Sequence, residues 1–311
     1  LKNWHGPWGS NRQNAWTQLQ SLGWPSSRLE SWKYSPLVKM PFAWQEADAS
    51  ATILPVKLMG TYTLVFRNGR LDETASDLAE LRKECAVSVS ENANSEDWHH
   101  ERFRLAWLVE AFWQSSVYIS VEHDVKLSKP IHLVHTLGKE TADFHWAMTR
   151  LHVQIGENAH AQVLETYTSD SPQFGSGITK VVELEKGSRL EWACQERSLV
   201  PLNVLENARF KQQQDSELSL FCLSTGGEFS RRTTSVALEA PGARVSLHAL
   251  ALLGESQTSE HVTHVDHFVG DTNSEQAYKT VLHKQSQFNF DGKIVIHPQA
   301  QKSTTSQLNR N

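Results

Sequence analysis

The chain has 311 residues and a net charge of −5 with histidine neutral. That length buries a sizeable core and fits one or two domains, while the acidic balance argues against a nucleic-acid partner, which needs a basic surface. No apolar run approaches the roughly 20 residues that span a bilayer, and three cysteines make no disulfide framework, so no membrane is expected and a reducing, cytoplasmic setting is.

The first residue is Leu1 rather than Met, which leaves a removed leader open. From the N-terminus, Asn11 is a candidate cap for a helix through about Leu22, with Trp16, Leu19 and Leu22 at helical spacing. Gly23 and Pro25 stop it. Next comes Arg28-Leu29-Glu30-Ser31-Trp32-Lys33-Tyr34-Ser35-Pro36-Leu37, read as a strap that docks this region onto the rest. Thr61–Arg67 alternates as a strand, Asn68-Gly69 marks a tight turn, and Ala75–Lys83 suits a short helix. Cys85, Val87 and Val89 share one face of another strand. From about Asp97 to Trp113 a wide apolar helical stripe appears, suited to burial against a sheet. The eleven tryptophans are read as core and domain-contact packing.

After Ser116 the character changes. Turn signals fall at Lys129-Pro130, Asn158-Ala159, Gly187-Ser188, Asp215-Ser216 and Gly242-Ala243, spaced by 27 to 29 residues. Alternating apolar runs follow the last four: Ala159, Ala161 and Val163; Leu190, Trp192 and Cys194; Leu218, Leu220 and Cys222; Val245, Leu247 and Ala249. A unit with one apolar strand face cannot bury it alone and must stack on its neighbours. No long amphipathic helices separate the strands, which excludes a βαβ sheet. The sequence therefore predicts a mainly β chain: a helical and mixed α/β region over residues 1–115, then a β-solenoid core over 116–311. An antiparallel sandwich is the structural alternative.

Fifteen histidines raise the question of a metal, above all in Glu260-His261-Val262-Thr263-His264-Val265-Asp266-His267. On a strand, His261 and His267 share a face but stand roughly 20 Å apart, too far for one ion. His264 and Asp266 lie on the other face, and two ligands do not make a site, so no metal is assigned. Cys194 and Cys222, 28 residues apart, take equivalent places in successive repeats and should stack about 5 Å apart on neighbouring rungs. They read either as a small apolar ladder in the core or as a thiol pair that handles sulfur or metal. Arg231-Arg232 and the scattered acids are read as solvated turns. There is no Walker A loop, GxGxxG, GxSxG, CxxC or HExxH, and no enzyme activity is expected.

The last stretch carries the most specific pattern. Phe288 and Phe290, then Ile294 and Ile296, alternate on either side of Asp291-Gly292, read as a turn. Tyr278, Lys279, Val281, Leu282, Ser286, Phe290, Gly292, Lys293, Ile294, Val295, Pro298, Ala300, Gln301, Lys302, Gln307, Asn309 and Asn311 fit a motif near the end of the β-helix in the SufB/SufD family of iron–sulfur cluster assembly proteins, with Ser303 where Thr is usual. Glu30, Trp32, Lys33 and Tyr34 resemble an N-terminal element of the SufD branch that the SufB branch lacks. His261, Thr263, Val265, Asp266 and His267 match a further SufD-like pattern, from which Glu260 departs.

The resemblance implies a right-handed parallel β-helix between helical regions. It also implies a non-catalytic scaffold that pairs with a SufB-like subunit under a SufC-like ATPase, with a homodimer considered for the isolated chain. No cofactor is expected on this chain alone, and a transient Fe–S cluster is expected in the assembled complex. The family's SufC contacts and a Cys-x-His-Gly segment with candidate cluster ligands are expected C-terminal to residue 311. A secreted β-helix polysaccharide lyase, hydrolase or adhesin is the alternative from another class.

Overall fold

The computed structural model describes residues 10–39, 54–90, 98, 103–138, 144–196, 198, 200–225 and 227–310. The chain opens with helix α1 (Ser10–Leu22), strand β1 (Tyr62–Arg67), strand β2 (Arg70–Asp72), the single turn α2 (Leu78–Leu81), strand β3 (Ala86–Ser90) and helix α3 (Ala106–Phe112). Among the described residues, fourteen strands then run without a helix between them: β4 (Ser115–Val121), β5 (Ile131–Leu137), β6 (His145–Ile155), β7 (His160–Ser169), β8 (Phe174–Leu184), β9 (Arg189–Glu196) and β10 (Asn203–Gln212) first. After them come β11 (Glu217–Ser224), β12 (Phe229–Leu238), β13 (Arg244–Leu253), β14 (Thr258–His267), β15 (Asn273–Leu282), β16 (Gln287–Ile296) and β17 (Thr304–Arg310).

Among β4–β17, odd strands pair with odd and even with even, while β2 and β3 add antiparallel edges to β1 and β4. One sheet runs β17-β15-β13-β11-β9-β7-β5-β1-β2, the other β16-β14-β12-β10-β8-β6-β4-β3. All pairings among β4–β17 are parallel, so each odd–even pair is one coil of a β-solenoid. The predicted repeat is that coil. Its length follows from two strands of eight to eleven residues plus two corners. At one corner Asn158, Gly187, Asp215, Gly242 and Asp271 all hold positive φ between 55° and 78°, the left-handed region that Asn, Asp and Gly tolerate best. Their backbones form a ladder: Asn158 N donates to Lys186 O, Gly187 N to Gln214 O, Asp215 N to Pro241 O and Gly242 N to Asp271 O. Between the sheets lies a hydrophobic core including Leu133, Val153, Ile178, Val182, Leu190, Phe210, Val236 and Val245.

The outer face of the even-numbered sheet carries a second core. Helix α3 lies on it with all seven residues buried, and α1 packs on α3 through Trp16 and Phe112, whose rings are 5.6 Å apart. Gly175 and Gly177 make room for this layer: a Cβ at Gly175 would lie 2.8 Å from the Trp146 ring, and one at Gly177 3.2 Å from Val109. Trp32, Trp98, Trp107, Trp113 and Trp146 all belong to this cluster. They serve the contact role assigned to the tryptophans.

Several local expectations are corrected. The helix expected over 75–83 is one turn, Leu78–Leu81. Asp72 explains this: its Oδ1 accepts from the backbone of Thr74 and Ala75, which holds the lead-in as a side-chain-stabilised turn. The helix expected over 97–113 is only Ala106–Phe112, with residues 97 and 99–102 outside the described set. α1 begins at Ser10, so Asn11 sits in its first turn rather than before it. Cys85 precedes its strand, and Val89 is 42% exposed while Val87 is buried. Asp291-Gly292 is no turn. Both lie inside β16, which pairs with β14 over ten consecutive residues. The glycine serves close approach, since a Cβ there would stand 2.6 Å from Phe290 Cζ and 2.9 Å from Gln307 Nε2.

Candidate functional site

Strand parity brings charge into a core that is otherwise apolar. On β7 the inward residues are Ala161, Val163, Glu165 and Tyr167; on β9 they are Leu190, Trp192, Cys194 and Glu196. On β8, β10 and β12 the same parity points Lys180, Glu206 and Arg232 inward. Glu165, Lys180, Glu196 and Arg232 are all at most 4% exposed. Arg231-Arg232, read as solvated from sequence, are instead buried in β12 at 3% and 4% exposure. The parity shared with Val236 and Leu238 is the signal that marks Arg232 as an inward residue.

These charges pair in a file across the coils. Lys180 Nζ bridges Glu165 and Glu206, 2.9 Å from the latter. Arg232 bonds Glu206 and, at 2.6 Å, Glu196. Glu165 also accepts from Tyr167 OH at 2.7 Å and Trp192 Nε1 at 3.0 Å, and pairs with His135 Nε2 at 3.1 Å. Burial alone would raise the Glu165 pKa, but Lys180 and His135 overcome it and hold the carboxyl well below its usual range. Burial likewise works against the Lys180 charge, and Glu165 and Glu206 restore it. Ligand atoms of Glu165, Cys194 and Glu206 converge within 4.8 Å. The ammonium of Lys180 already bonds both of those carboxylates, so this group is an ion-pair file rather than a metal centre.

Cys194 and Cys222 stack on neighbouring rungs as expected, register partners on β9 and β11, with Cys194 beside Glu165 and Glu206. Cys194 is 6% exposed and Cys222 half-buried, and both border a cavity of about 50 Å³. Lys180, Arg232, His261 and Tyr278 also line it. The two thiols are inequivalent. A hydrogen bond from Cys194, then the Arg232 guanidinium and the His261 imidazole, hold the Cys222 pKa well below the usual thiol value. Burial, and donation to Cys222, push Cys194 well above it. A core ladder alone would leave both as inert thiols.

The motif residues fall in several settings. His261 and Tyr278 enter the cavity, with their rings 5.5 Å apart. Thr263 and His267 are buried on the same face, bonded to Gln276 at 2.8 Å and to Thr272 and Ser274 at 2.7 and 2.9 Å. Asp266 is on the opposite face, paired with His264 at 2.9 Å and His297 at 3.1 Å. Glu30, Tyr34, Gly292, Gln307 and Asn309 line a groove of about 630 Å³ between the strap and the last rungs. Trp32 anchors that strap: it is 1% exposed, the Arg231 guanidinium lies 3.6 Å from its ring centroid, and Arg231 in turn bonds Glu260 and the Ser31 carbonyl. Lys33, Lys279, Lys293, Gln301 and Lys302 face solvent, and Tyr34 is 70% exposed.

No single charged residue marks the buried file in the sequence; only the parity each shares with its strand's apolar positions does. Known proteins place this solenoid in a family. The model for the SUF system FeS cluster assembly, SufBD core domain, matches residues 136–311. The iron–sulfur cluster assembly protein SufD of Escherichia coli is 25% identical over 335 residues, covering 100% of this chain and 77% of its own length. An iron–sulfur cluster assembly SufBD family protein of Synechocystis is 23% identical over 337 residues, covering 97% of this chain and 72% of that protein. With more than half of its residues under the core-domain model and the coil architecture to match, the chain belongs to the SufB/SufD family of the SUF iron–sulfur cluster assembly system.

Proposed function

We propose that this protein is a SufD-like, non-catalytic scaffold subunit of cytoplasmic SUF assembly that pairs with a SufB-type subunit and answers to a SufC-type ATPase. The observation that carries the reading is the core-domain match over residues 136–311 on a solenoid of stacked coils. A strap held by Trp32 and Arg231, at the element typical of the SufD branch, supports it. A nascent Fe–S cluster is the cargo of the assembled complex, not a resident group of this chain. Cys194 and Cys222 are its candidate sulfur-handling pair.

The glycan-enzyme alternative is not favoured. Among the described residues, the carboxylates that converge are inside the solenoid and engaged by Lys180 and Arg232, whereas a glycosidase sets its acid pair beside a substrate cleft. Among the described residues no helix is long and apolar enough to cross a membrane.

The test is co-expression with SufB-type and SufC-type subunits of the same organism, followed by affinity capture and size-exclusion chromatography. A co-eluting complex that supports cluster assembly is the expected result. Elution of this chain by itself, with cluster yield the same in its absence, would sink the reading.

A further inference from the structure

The scaffold function leaves a row of buried polar residues beneath the strap without a task. Arg231, Glu260 and Asn289 are successive register partners on β12, β14 and β16, so they line up on the outer face of the even-numbered sheet. Arg231 and Glu260 are 3% and 2% exposed. The Glu260 carboxylate divides its oxygens between its two neighbours. Arg231 Nη1 donates to Oε2 at 2.6 Å, and Asn289 Nδ2 donates to Oε1 at 3.2 Å. Arg231 then reaches off the sheet: its Nη2 donates to the Ser31 carbonyl at 2.9 Å, and its guanidinium lies over the Trp32 ring. A path of direct contacts therefore runs from β16, through one carboxylate, to the strap.

The strap is built to move as one body. Leu29 N donates to Ser26 O, Trp32 N to Leu29 O and Ser35 N to Trp32 O, all within the strap itself. Trp32 Nε1, Ser31 Oγ and Ser35 Oγ are buried without a hydrogen-bond partner. Undocking returns these three groups to water, so release costs less than the loss of apolar contacts alone. A planar guanidinium stacks on an indole only when its plane is correctly turned. Glu260 sets that orientation for Arg231, and Asn289 steadies Glu260 from the next rung. Strap and β16 also share the groove of about 630 Å³, to which Ser31 and Tyr34 contribute from one and Asn289 and Asp291 from the other.

We propose that the strap is a latch set by β16: it stays closed over Arg231 while Asn289 holds Glu260, and it opens, with the groove, when β16 shifts. The two positions are linked by a coupling free energy, which acts in both directions by the same factor. An opened strap therefore loosens β16 as much as a displaced β16 loosens the strap. The device lies wholly within this chain and does not depend on the scaffold function.

The experiment is hydrogen–deuterium exchange of the full chain near pH 7, read by mass spectrometry. It compares peptides from residues 26–39, from β16 and, as a reference, from β7 on the other sheet. Asn289→Ala removes the bond to Glu260 and should speed exchange in residues 26–39 by about fivefold or more. Trp32→Ala should speed exchange in β16 by a similar factor, and β7 should keep its native protection in both. Asn289→Asp, which sets a second carboxylate beside Glu260, is the second variant and should open the strap in the same way. Native exchange in the strap of a folded Asn289 variant overturns the proposal, and so does native exchange in β16 of a folded Trp32→Ala. Protection lost equally in β7 also overturns it, because the effect would then be global unfolding. Partner capture plays no part, so failure of the latch leaves the scaffold function standing.

Discussion

Lys180→Met tests the charge file directly. Lys180 is 2% exposed and bridges Glu165 and Glu206. Its removal leaves two buried carboxylates without their shared cation, for which breaking one partner of a buried pair typically costs about 3–5 kcal/mol. The structure favours the low end, near 3 kcal/mol, because neither carboxylate is orphaned: Glu165 keeps Tyr167, Trp192 and His135, and Glu206 keeps Arg232.

The assay is equilibrium urea unfolding near pH 7, with the slope checked against the native chain because solenoids do not always unfold in one step. The sign with pH is also set. In the native chain the folded Glu165 pKa is depressed by its partners, so its contribution is present above the unfolded carboxylate value and is lost as pH falls through the folded one. Without the ammonium, burial dominates and raises that pKa, so the deficit of the variant should shrink as pH falls. Adding Glu165→Gln should recover part of the loss. A cost below about 1 kcal/mol for Lys180→Met with an unchanged slope, in a protein that still folds, would refute the view that these charges depend on one another.

Trp32→Ala should cost about 3–5 kcal/mol and expose residues 26–39 to limited proteolysis while the far-UV β signal persists; protection equal to native would mean that the strap is not held by this ring. Gly175→Ala should lower stability by about 1–3 kcal/mol by pushing the Trp146 ring, read as a fall in melting temperature, and a neutral outcome would show that the ring shifts freely. His132 is held down to about 4, chiefly by burial, so its contribution is full above about pH 6.5 and fades as pH falls to about 4. Two and a half pH units at 1.36 kcal/mol each make that about 3 kcal/mol at most, and a His132→Gln chain should show a flatter stability profile over this window. Burial pushes the Cys85 thiol up to about 12, so iodoacetamide near pH 7 should label Cys222 well before Cys85; equal labelling would contradict the assigned environments.

The chain's alternation and its spacing of turn signals were enough to reveal stacked coils, because both are local properties. A strand with every second residue apolar has one face to bury, and an Asn, Asp or Gly at a regular interval marks where the backbone turns left-handed. The family likeness was legible for a similar reason, since many matched positions at fixed spacing need no coordinates. Tertiary structure decided which inward residues meet. Lys180 reaches Glu165 across 15 positions, Arg232 reaches Glu206 across 26 and Glu196 across 36, and those meetings follow from rung register, which no single strand encodes. Asp291-Gly292 makes the same point: the dipeptide favours a turn locally, yet ten residues of pairing with β14 hold it straight. Cys194 and Cys222 fall between the two cases. Their stacking was readable from the period, but their inequivalence comes from Arg232 and His261 on the opposite sheet, brought there only when the coil closes.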